Sequence, residues 1–168
     1  YGDAGNDRFV GGDGAEFVDM GSGNNTIFGG GGNDTFYVSG ATDTLDTGNG
    51  NNTIYVSGDG YLNVRGGAGN DRLVLAPISS TAPLQFNERQ LRANGRTIDF
   101  NDALDRIEIT DLASVTRISS GANASWGSTD FVLEAAGLVD VRNAVFVAPN
   151  ARLSIHGAGI QGTLNKIG

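Results

Sequence analysis

The 168-residue chain has no cysteine. Disulfides and thiolate metal sites are thereby excluded, and in an oxidising compartment something else must staple the fold. Bases are also scarce, 11 against 19 acids, giving a net charge of -8 and a pI near 4.4. That balance argues against nucleic acid and anionic membrane as partners and suits cations. No stretch approaches the ~20 apolar residues of a membrane span, and no basic region followed by an apolar run marks a signal peptide. No methionine stands at the start; Tyr1 reads as the start of a fragment or processed product. The single histidine, His156 in "RLSIHGAG", has no acid nearer in sequence than Asp140, so it reads as a surface or corner residue rather than a member of a triad.

The apolar share of 39% and charged share of 18% are too apolar and too weakly charged for a disordered chain, so the sequence is expected to fold. Its composition is uneven. Nineteen of the 27 glycines fall within residues 1–75, as does a charge of -7, from 10 acids and 3 bases. The acid excess travels with the glycine.

A nine-residue repeat explains the pairing. Units begin at residues 2, 11, 20, 29, 38 and 47, and after one extra residue resume at 57 and 66. Their eighth positions are Phe9, Val18, Ile27, Phe36, Leu45, Ile54, Val64 and Leu73, an apolar run that chance would give less than about once in a thousand trials. The sixth positions are Asp7, Glu16, Asn25, Asp34, Asp43, Asn52, Leu62 and Asp71, seven of the eight carrying an oxygen ligand. Units such as "GGGGNDTFY" at 29 and "GGAGNDRLV" at 66 resemble the GGxGxDxUx nonapeptide of the RTX family. The resemblance covers residues 2–74. It implies a parallel β-roll, two nonapeptides per turn, with calcium in the glycine-rich loops between successive turns.

The residues agree with that implication. Alternation within a short strand such as "DRFV" points the one obligatory apolar residue inward, and glycine permits the tight turn that follows. The turn's carbonyls and the sixth-position carboxylate supply oxygens for an ion that takes 6 to 8 of them. With 18 residues per turn, one flank stacks Asp7, Asn25 and Asp43, and the other stacks Glu16, Asp34, Asn52 and Asp71. The expected calcium set comprises these seven together with Gly2, Gly5, Gly11, Gly12, Gly14, Gly29, Gly30, Gly32, Gly66, Gly67 and Gly69. The loops of Glu16 and Asp34 rank first, because both are acidic. Those joining Asp34 to Asn52 and Asn52 to Asp71 follow, then the loops at 2–7 and 20–25, while the unit at 38 lacks its first glycines. The competing reading is that Asn and Asp cap tight turns and form hydrogen-bonded ladders along the stack.

The nonapeptide stops after Leu75. Apolar runs flanking Asn94-Gly95 predict an antiparallel hairpin within 84–100, and 102–106 is expected to form a short helical turn. Apolar starts at Phe131, Leu138, Val145, Leu153 and Ile160 predict short strands of a wider, three-sided solenoid. This second tract resembles the β-helical repeats of large exported bacterial adhesins of the filamentous-haemagglutinin type. The expected fold is therefore all-β: a parallel β-roll or β-solenoid over 1–75, a hairpin region over 76–106, and a β-helical tract over 107–168, continuous with the first or separate from it.

No catalytic residue is assigned. The carboxylates of Asp99, Asp102 and Asp105 resemble the clusters used by β-helical polysaccharide enzymes but read first as a solvated loop or helix cap. Trp126 reads as a cap over a solenoid core or a sugar platform. The expected function is an extracellular or cell-surface calcium-binding structural and adhesive segment of a large secreted bacterial protein. Its expected partners are calcium ions, identical subunits or neighbouring coils stacked end to end, and surface polysaccharide, with no nucleic acid and no membrane insertion. The alternative is a non-catalytic accessory module of a secreted RTX enzyme, of the kind carried by alginate epimerases or RTX proteases.

Overall fold

The computed structural model describes residues 1–75, 84–87, 90–93, 95–100, 106–112, 116–120, 130–135, 138–140, 145–147, 153–156, 159–161 and 165–167. Among these every regular element is a strand. In the first tract each nonapeptide contributes one: β1 (Arg8–Val10), β2 (Phe17–Asp19), β3 (Thr26–Phe28), β4 (Thr35–Val38), β5 (Thr42–Asp46), β6 (Thr53–Val56), β7 (Gly60–Arg65) and β8 (Arg72–Leu75). They are short because glycine follows within a few residues, and β-branched or aromatic residues fill them.

Odd and even strands part into two parallel sheets. Phe9 pairs with Ile27, Ile27 with Leu45 and Leu45 with Val64 along β1-β3-β5-β7. Across the core, Val18 pairs with Phe36, Phe36 with Ile54 and Ile54 with Leu73 along β2-β4-β6-β8. Seven of these eight apolar side chains, Val18 to Leu73, are at most 2% exposed, while Phe9 on the first coil is half-buried. Burying a side chain of this size stabilises by roughly 1.5–3 kcal/mol, and the periodic apolar position is thus what closes the roll. The step between paired residues is 18, then 19 once the turn between β6 and β7 is passed. The extra residue lies in that turn, and both sheets keep their inward faces.

The hairpin predicted at Asn94-Gly95 is formed by β10 (Gln90–Ala93) and β11 (Arg96–Phe100), with Ala93 opposite Arg96 and Gly95 at φ 84°. It is woven into the sheet. β11 adds in parallel to β7, and β9 (Leu84–Asn87) adds antiparallel to β10 and parallel to β13 (Thr116–Ser120). The other sheet runs on from β8 through β12 (Arg106–Leu112), β14 (Asp130–Ala135) and β17 (Leu153–His156). Arg106, the end of the expected helical turn, opens β12, and 102–105 lie outside the described residues.

Downstream, short strands stand at the expected starts and pair in parallel. β14 pairs with β17, β15 (Leu138–Asp140) with β18 (Gly159–Gln161), and β16 (Val145–Val147) with β19 (Asn165–Ile167), all in parallel. Two sheets therefore run the length of the solenoid, ten and seven strands wide, and a third of two strands joins them.

Candidate metal centre

The turns stack on two flanks as the 18-residue period requires. Flank one carries Asp7, Asn25 and Asp43, and flank two carries Glu16, Asp34, Asn52 and Asp71. The sixth-position side chains point under the turns, where Asn25, Asp34, Asp43, Asn52 and Asp71 are at most 2% exposed. Each offers Oδ1 to a backbone N–H of the preceding coil. On flank one the Asp7 N–H donates to Asn25 at 3.0 Å, and the Asn25 N–H to Asp43 at 2.9 Å. On flank two Glu16 donates to Asp34 at 2.8 Å, Asp34 to Asn52 at 2.9 Å, and Asn52 to Asp71 at 3.3 Å. The ladder reading is thus realised, by aspartates as well as asparagines.

The ladder uses one oxygen each of Asp34 and Asp43 and leaves the other over, while Asp7 and Glu16, at the start of their flanks, accept no ladder bond. Asp7 Oδ2, Glu16 Oε2, Asp34 Oδ2 and Asp43 Oδ2 are all buried without a hydrogen-bond partner. The first-position glycines show what surrounds them. A Cβ on Gly2 would lie 2.8 Å from Asp7 Oδ2 and 2.7 Å from the Met20 carbonyl oxygen. On Gly11 it would meet Glu16 Oε2 at 2.8 Å and the Gly29 carbonyl at 1.9 Å, and on Gly29, Asp34 Oδ2 at 2.9 Å and the Thr47 carbonyl at 2.2 Å. Three cradles therefore join a carboxylate of one coil to a carbonyl of the next. Around Asp43 the first position is Val38, and the glycine nearest the carboxylate is the third-position Gly40, whose Cβ would meet both Asp43 oxygens at 2.7 Å and the Gly23 carbonyl of the preceding coil at 2.4 Å.

Asp71 differs, because the Gly67 N–H donates to its Oδ2 at 3.0 Å and the Asn52 amide Nδ2 donates to its Oδ1 at 2.8 Å. N–H donors there face the carboxylate where the other turns turn oxygens toward it. The remaining glycines shape the turns: Gly32 has φ 114°, and a Cβ there would stand 1.9 Å from the Gly14 carbonyl. Gly30 and Gly69 press on the carbonyls of Gly12 and Gly50 in the same way, and Gly67 on that of Gly48. Gly5, Gly12 and Gly14 are looser, at 3.4 to 3.9 Å from the carboxylate of their own turn, and Gly66 opens the last turn of flank two.

Buried, unpartnered carboxylate oxygens beside carbonyls fit a hard, oxygen-seeking divalent cation. Stacking such charges without one is strongly unfavourable. Among the described residues no three His, Asp or Glu side chains converge. Backbone carbonyls must therefore supply most of any coordination shell.

A second row went unread in the sequence. Fifth-position asparagines form an exposed ladder of opposite direction: the Asn24 N–H donates to Asn6 Oδ1 at 3.0 Å, Asn51 to Asn33 at 2.8 Å and Asn70 to Asn51 at 2.9 Å. Its signal was the recurrence of Asn6, Asn24, Asn33, Asn51 and Asn70 at one repeat position. Of the acids considered for glycan chemistry, Asp99 is tied to Tyr61 Oη at 2.5 Å and to Gln90 Nε2 at 2.7 Å, while Asp102, Asp105 and Trp126 lie outside the described residues. Backbone pairing sets His156 opposite Glu134.

The comparisons with known proteins agree with this geometry. A family model for the RTX calcium-binding nonapeptide repeat, in four copies, matches residues 1–27, 19–54 and 63–75. Neither the curated proteins nor the solved structures give a match. Within the parallel β-solenoid of residues 1–75, residues 1–54 and 63–75 match the RTX calcium-binding nonapeptide repeat, a structural calcium-binding motif.

Proposed function

We propose that this chain is an extracellular structural segment whose repeat tract is drawn into a rigid roll by calcium and presents an adhesive outer surface. The reading is carried by the four buried carboxylate oxygens that no hydrogen bond reaches, on Asp7, Glu16, Asp34 and Asp43. Without a cation their mutual repulsion opposes coil stacking; with one, folding and binding become a single equilibrium. Sites of this class outside the cell typically bind at ~0.1–1 mM. A roll needing calcium at that level stays unmade inside a cell and closes on export. An outward row of aromatic rings, Tyr1, Phe17, Tyr37 and Tyr55, with successive centroids 6.2, 5.1 and 5.0 Å apart, supports the adhesive part of the reading.

Calcium titration of EDTA-treated protein, followed by far-ultraviolet circular dichroism and by bound ions together, tests the proposal. A coil-to-strand transition with about three ions, one per cradle, is expected. D34N keeps the ladder oxygen but loses the charge, so it should bind fewer ions and depend less on calcium for its fold. A chain that is fully folded in EDTA and binds no ion would overturn the reading.

A further inference from the structure

Flank one loses its polar ladder at Leu62, which pairs with Asp43 and is itself followed by Ile98 of β11. The turn beneath it is the one lengthened by a residue, and its carbonyls converge on a side chain from outside the repeats. Arg96, at the start of β11, is 1% exposed. Its Nη2 lies 3.0 Å from the Gly40 carbonyl oxygen, 2.8 Å from that of Ser57 and 2.8 Å from that of Asp59, and its Nε donates to Gly58 at 3.2 Å. We propose that the Arg96 guanidinium is a built-in cation standing in a calcium-type site of flank one, and that this site takes calcium when the arginine is removed.

Three features support the assignment. The oxygens come from two successive coils, Gly40 from one and residues 57–59 from the next, as they do in the cradles of Gly2, Gly11 and Gly29. The nearby acid is Asp43, whose Oδ2 has no hydrogen-bond partner; burial lowers the proton affinity of Arg96, while the charges of Asp43 and Asp59 raise it. The fit to a guanidinium is also imperfect. Nη2 carries only two hydrogens yet faces three carbonyl oxygens, and Nη1 is buried with no partner at all. A convergent set of oxygens that exceeds the donors suits a spherical ion better than a planar fork.

A permanently protonated arginine lets this junction close without a calcium ion of its own once the roll has folded. The inference rests on the calcium reading above, and counting ions in wild type and variants together separates the two. R96A is expected to bind an additional ion at calcium of ~10 mM, well above the weakest extracellular affinities, and R96A/D43N to lose it again. R96K keeps a charge in place and should gain none. If wild type binds calcium and R96A, folded or not, binds no more, the proposal falls while the calcium reading stands. A wild type that binds none removes both.

Discussion

The two flanks are made of the same nonapeptide and end differently. Flank two carries its inner ladder through four coils, Glu16, Asp34, Asn52 and Asp71, and is fastened to the next coil on its outer face, where Glu108 pairs with both Arg72 and Arg106. Flank one stops after Asp43, substitutes Leu62, and brings an arginine inward beneath the turn. The difference separates duties that one side chain otherwise combines. A sixth-position aspartate accepts a ladder bond and holds charge for a cation, whereas leucine only fills the core. Once leucine takes the place, the turn carbonyls need another positive group, and Arg96 supplies it.

The sharpest way to break the comparison is to fill a cradle. G11A should be the most damaging, by about 3 kcal/mol, because its Cβ would stand 1.9 Å from the Gly29 carbonyl. On flank one the matching contact of G2A is 2.7 Å, and a smaller loss is expected. G12A, whose Cβ meets nothing nearer than 3.9 Å, should be close to neutral. Denaturant midpoints in saturating calcium would rank the three.

Removing a ladder rung comes next. Asn52 accepts from Asp34 and donates to both Asp71 and the Gly50 carbonyl, so N52A should lose about 2–3 kcal/mol. Asn25 only accepts from Asp7, and N25A should lose about 1 kcal/mol. Equal losses in matched unfolding curves would mean that the ladder contributes alike on both flanks.

The smallest effect concerns the outer fastening of flank one. Y61F removes the hydroxyl that donates to Asp99 and should lose about 0.5 kcal/mol at neutral pH. That hydrogen bond, with burial and the Asp99 charge, raises the Tyr61 pKa above its ordinary 10.0. The contribution is present in full below pH 10.0 and disappears as pH rises through the raised folded value. Stability curves of wild type and variant should therefore converge in strong base.

Most of the roll was legible because a nine-residue period puts the same chemistry at the same height on each coil. That period, with its one extra residue, stacks Phe36 on Ile54, Ile54 on Leu73 and Asp34 on Asn52. The hairpin was legible for a local reason, the turn demanded by Asn94-Gly95. Its place within the sheet was not, because β11 meets β7 across 36 residues of sequence and no periodic signal links Arg96 to Gly60. The cation-bearing role of Arg96 was hidden for the same reason. Asp71 carries the full motif, yet its carboxylate is met by the Gly67 N–H and the Asn52 amide, an orientation that composition does not encode.

The paired ladders also bear on how the protein ages. An asparagine loses its amide when the backbone nitrogen of the following residue attacks the side-chain carbonyl and closes a five-membered ring. Here the residues after Asn6, Asn24, Asn33 and Asn51 are Asp7, Asn25, Asp34 and Asn52, and each commits its N–H to the inner ladder. These four exposed asparagines are thus shielded from self-cleavage of their amides for as long as the coils beneath them stay in register.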